Sequence, residues 1–163
     1  MSRRRPIRRT AGAHLVEPRG ARHRLLSWER RLLFASGGLL LATGAVWLGV
    51  HYLRSADALP SPAEAWLMRT HGLAAFAALF VLGALAVAHV PRGWRLASRR
   101  DWKAQRATGL CLCLAAGGVA LTGYLLYYFA PDSVRPAIGW VHSALGLAMA
   151  LLVLAHRRGS EGL

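Results

Sequence analysis

Four long apolar stretches dominate the chain, separated by short polar segments. They run from about 32 to 53, 66 to 90, 107 to 129 and 134 to 156, each long enough to cross a bilayer core of about 30 Å as a helix. The connections carry the breakers. Pro60 and Pro62 interrupt 54–65, the basic stretch PRGWRLASRRDWKAQR fills 91–106, and the brief APDS fills 130–133. Spans joined this tightly run antiparallel, so the pattern predicts an all-α, four-helix transmembrane bundle over residues 28–159.

Composition adds an orientation. The chain has 163 residues, 55% of them hydrophobic, a mean hydropathy of +0.32, and yet a formal net charge of +14. The charge lies between the apolar runs. Ten arginines precede the first span, five arginines and Lys103 fall in the second connection, and Arg157 and Arg158 follow the fourth span, whereas the other side holds only Arg54, Arg69 and Arg135. Positive charge gathers on the cytoplasmic side of membrane proteins, which predicts that both termini are cytoplasmic in a bacterial inner membrane. This topological account of the arginines argues against nucleic acid as a partner. The tail 1–27 is expected to be disordered and to lie near anionic lipid headgroups. Ser55 to Ala58, SADA, has the small-x-small look of a signal cleavage site, but the apolar run before it exceeds the 7–15 residues of a signal core, so the first span is read as an anchor.

Candidate chemistry resides in the histidines. Five of the seven fall at span ends: His51, His71, His89, His142 and His156. In the expected topology His51, His71 and His142 lie toward the outside, and His89 and His156 toward the cytoplasm. At about 100° per residue, the 18 residues from His71 to His89 leave almost no phase error and the 14 from His142 to His156 leave about 40°. Both pairs can therefore face one interior. The second and fourth spans are parallel, which brings His71 level with His142 and His89 with His156. One cross-helix imidazole pair in an apolar slot is what a haem iron requires, so the two pairs suit two haems.

The residues between the histidines suit a flat macrocycle. Gly146, Met149 and Val153 share the face of His142 and His156, and Ala75, Ala78, Leu82 and Leu85 lie between His71 and His89. Gly37, Gly38, Gly44, Gly117, Gly118 and Gly123 on the first and third spans allow close approach of a cofactor or of a helix. The spacings differ, however: about 27 Å of rise against about 21 Å. The offset of the two pairs can be shared between the ends, or His51 replaces His71 as outer ligand, or a single haem binds in one layer. Cys111 and Cys113 point about 160° apart on a helix and cannot clamp one metal. The absence of C-x-x-C-H argues against covalent haem attachment. Tyr124, Tyr127, Tyr128 and Phe129, with Trp66 and Trp140, mark an outer aromatic belt, where a quinone could bind.

THGLAAFAALFVLGALAVAHVPRGW, LTGYLLYYFAPDSVRPAIGW and VHSALGLAMALLVLAHRR resemble the flavinylation-associated cytochromes, small four-helix membrane proteins. The resemblance covers about residues 28–159. It implies b-type haem held by His71, His89, His142 and His156, and electron transfer across the membrane to an extracytosolic flavoprotein that carries FMN. The expected cofactor is haem b, two per chain or one if a single layer binds. No cluster of acid, base and nucleophile and no phosphate loop suggests substrate chemistry of its own. The competing expectation is a haem-free membrane anchor or assembly subunit of a redox complex, with interfacial histidines.

Overall fold

The computed structural model describes residues 25–55, 57–99 and 102–161. The basic tail expected over 1–27, with His14 and His23, lies outside these apart from its last three residues. Four α-helices follow in chain order: α1 (Ser27–Leu53), α2 (Pro62–Arg99), α3 (Lys103–Tyr128) and α4 (Arg135–Glu161). Among the described residues there is no strand, and all four helices are long and apolar enough to cross a membrane. Each agrees with a span read from the hydropathy pattern. A helix satisfies its own backbone hydrogen bonds, which hydrocarbon demands of any spanning segment.

The helices pack as two hairpins. α1 lies along α2 and α3 along α4, while α2 touches α3 and α1 touches α4 less extensively. α2 and α4 are thus diagonal, with their backbones apart. Small side chains line the closest packing: Ser36 and Thr43 of α1 and Ala74, Ala78 and Val81 of α2 are buried. Large apolar residues point outward instead, among them Phe76, Phe80, Val87, Leu114 and Leu151. Small residues at helix contacts and large ones on the outer surface are the arrangement expected when lipid is the solvent.

The connections differ most from the sequence reading. The basic segment 91–106, expected to be a connection, is mostly helical: α2 runs through Pro91 to Arg99, and α3 begins at Lys103. Pro91 removes one backbone donor, but its own carbonyl is engaged by the Arg95 guanidinium at 3.3 Å, and Ala97 is buried. The α2 end closes when the Trp102 N–H donates to the Ala97 carbonyl, a six-to-one bond typical of helix C-termini. At the opposite end Pro62 is the first residue of α2, where its fixed φ suits helix initiation. Ser61 and Glu64 complete this start, with the Ser61 N–H donating to Glu64 Oε1 at 3.1 Å. In the α3–α4 turn, Arg135 donates to the carbonyls of Leu126 and Ala130 at 3.0 and 2.7 Å. Its cation thus meets the negative end of α3.

Candidate functional site

Half-burial along α2 and α4 follows the histidine faces. His71, Ala75, Leu82, Leu85 and His89 are half-buried and Ala78 is buried; on α4, His142, Gly146, Met149, Val153 and His156 are all half-buried. The two stripes meet at the end of the bundle that carries the α1–α2 and α3–α4 connections, where the rings of His71 and His142 lie 6.2 Å apart, centre to centre, at 62°. At the other end His156 lies within electrostatic range of His89.

Each of three imidazoles is held from the adjacent helix of its own hairpin. Thr43 of α1 bonds His71 Nδ1 through Oγ1 at 2.9 Å, Thr122 of α3 bonds His142 Nδ1 at 2.9 Å, and Thr108 of α3 bonds His156 Nδ1 at 2.8 Å. The residue after each threonine is a glycine against the same ring. A Cβ on Gly44 would come 3.5 Å from His71 Cε1, on Gly123 3.2 Å from His142 Cε1, and on Gly109 3.8 Å from His156 Cε1. The glycines expected to permit close approach therefore divide. Gly44 and Gly123 face histidines, Gly118 faces Leu145, and Gly37, Gly38 and Gly117 face open space.

His51 is placed differently. Its Nδ1 lies 3.1 Å from Glu64 Oε2, its ring stacks on Trp47 at 4.4 Å, and Tyr52 meets it edge-on. Glu64, buried at the α1–α2 corner, also accepts from Arg54 Nη1 at 3.0 Å. The structure thus brings His71, and not His51, to His142. Tyr52 stacks on Trp140 at 5.2 Å and joins α1 to α4, and Tyr124, Tyr127, Tyr128 and Phe129 are exposed. Cys111 and Cys113 are free and exposed.

The donor set can be tested for fit to haem. With a metal–imidazole bond of about 2 Å and about 1 Å from that nitrogen to the ring centre, two axial imidazoles have centres about 6 Å apart. The His71–His142 separation matches this span. Among the described residues no three histidine, cysteine or carboxylate side chains converge on one point, which disfavours a closed tetrahedral zinc site. A pair of imidazoles suits a metal whose other ligands arrive with it.

The threonines were missed by the sequence reading, although two signals mark them. The chain has five threonines, three of them followed by glycine, and these three hold the histidines. Thr108 and Thr122 are also 14 residues apart, the spacing of His142 and His156. Equal spacing on adjacent antiparallel helices keeps both pairs in register. No protein-family model, curated protein or solved structure matches the chain.

Proposed function

We propose that this chain is a b-type cytochrome of the bacterial inner membrane that carries electrons between quinol or another donor and an extracytosolic flavoprotein. The observation that carries the reading is the meeting of His71 and His142 across diagonal helices at a separation suited to one iron. His71 and His142 would hold an outer haem, and His89 and His156 an inner one. When bound, haem supplies a reversible one-electron couple. The chain's own part is to present neutral imidazoles inside a sleeve of large lipid-facing side chains, with small residues between its helices. Two layers about 20 Å apart along α4 would divide the membrane into short steps. Both termini face the cytoplasm in this reading, because the arginines crowd that side.

A reduced-minus-oxidised spectrum of the purified chain, with a pyridine haemochrome count, tests it. Sharp b-type bands with about two haems per chain support the proposal, and about one supports a single-layer form of it. A colourless protein from cells supplied with haem would overturn it in favour of a haem-free anchor.

A further inference from the structure

The hydroxyl protons of the three threonines are already committed. Thr43 Oγ1 donates to the Leu39 carbonyl at 2.7 Å, Thr122 Oγ1 to Gly118 at 2.7 Å, and Thr108 Oγ1 to Ala104 at 3.0 Å, each four residues back in its own helix. A hydroxyl has one proton and two lone pairs. With the proton given to the backbone, the oxygen can only accept from the imidazole. Nδ1 of His71, His142 and His156 must therefore carry a ring proton, which in the neutral imidazole leaves the lone pair on Nε2.

We propose that the threonine–glycine dipeptides 43–44, 122–123 and 108–109 are imidazole cradles that fix the Nε2-ligating tautomer before any metal arrives. The threonine orients the ring and makes it a stronger electron donor through the Nδ1–H bond. The glycine leaves room beside Cε1: a Cβ at Gly123 would crowd the His142 ring, and one at Gly44 or Gly109 would come into ordinary contact with the rings of His71 or His156. These are positioning residues: each acts through a histidine and would not itself touch a cofactor. Their placement repeats in both hairpins at the outer end, with Thr43 and His71 answering Thr122 and His142. At the inner end Thr108 and Gly109 of α3 cradle His156.

This inference rests on the haem reading for its purpose, but its tautomer part is independent. The test compares Thr43→Val, Thr122→Val and Thr108→Val with the matching Ser variants and with Thr70→Val. Thr70 makes the same kind of four-back bond, to Trp66 at 2.9 Å on the exposed side, and serves as control. On the full chain produced without haem, 15N-histidine NMR should show three Nδ1–H tautomers in the parent, with one changed in each Val variant. On the haem-loaded chain, each Val change should speed haem transfer to excess apomyoglobin by about 10- to 100-fold and raise the midpoint potential of its own layer. Serine should restore both, and Thr70→Val should alter neither. Val variants with parental tautomers, haem retention and potentials would overturn the cradles. Tautomers that shift as expected in a parent that binds no haem would sustain the cradles and sink the cytochrome reading.

Discussion

His71 and His51 show how one residue type can serve two purposes at the same end of a bundle. His51 is tied to Glu64 and stacked on Trp47, whereas His71 turns inward to His142. In the proposed cytochrome, replacing His71 or His142 with Ala should abolish the outer haem, while His51→Ala should leave the haem count unchanged, as measured by pyridine haemochrome. Loss of the outer haem in the His51 variant alone would reverse the assignment. Glycines give a finer comparison at the same scale. Gly123→Ala places a methyl 3.2 Å from the His142 ring and should weaken outer haem retention several-fold, whereas Gly117→Ala enters open space and should not. The meeting of His71 and His142 was legible because ionisable groups stand out in apolar runs. The threonines were not, since a hydroxyl in such a helix ordinarily bonds its own backbone, and its second bond depends on a neighbour that periodicity does not reveal.

At the scale of elements, hydropathy located all four helices but overestimated the connections. Pro62 reads as a breaker in sequence and is the first residue of α2, while Pro91 reads as an end and is passed through. In each case the outcome depends on partners: Ser61 and Glu64 around the first, and the buried Ala97 beyond the second. The α1–α2 corner converges on the Glu64 carboxylate, which accepts from Ser61, Arg54 and His51. Glu64→Ala leaves these donors without their acceptor and should lower stability. Thermal unfolding in detergent should show a lowered midpoint with an unchanged haem count. A midpoint equal to that of the parent would show that the corner contributes no stability.

For the whole molecule, the proposed orientation rests on the charge distribution, since positive charge gathers on the cytoplasmic side of membrane proteins. Reporter fusions after Pro60 and after Asp132 should read as periplasmic, and one after Arg99 as cytoplasmic. A periplasmic signal at Arg99 would invert the topology. The two-hairpin plan has a consequence for biogenesis. His71 and His89 belong to the first hairpin, and His142 and His156 to the second, so neither half of the chain contains both members of a level pair. While the ribosome is still making α3, a complete site cannot exist. Cofactor loading in the proposed cytochrome must therefore follow insertion of the last helix, and it would fasten together two halves whose direct contacts are sparse. Maturation then becomes a checkpoint, in which a chain that failed to insert fully could not be loaded and would remain a loose pair of hairpins open to membrane proteases.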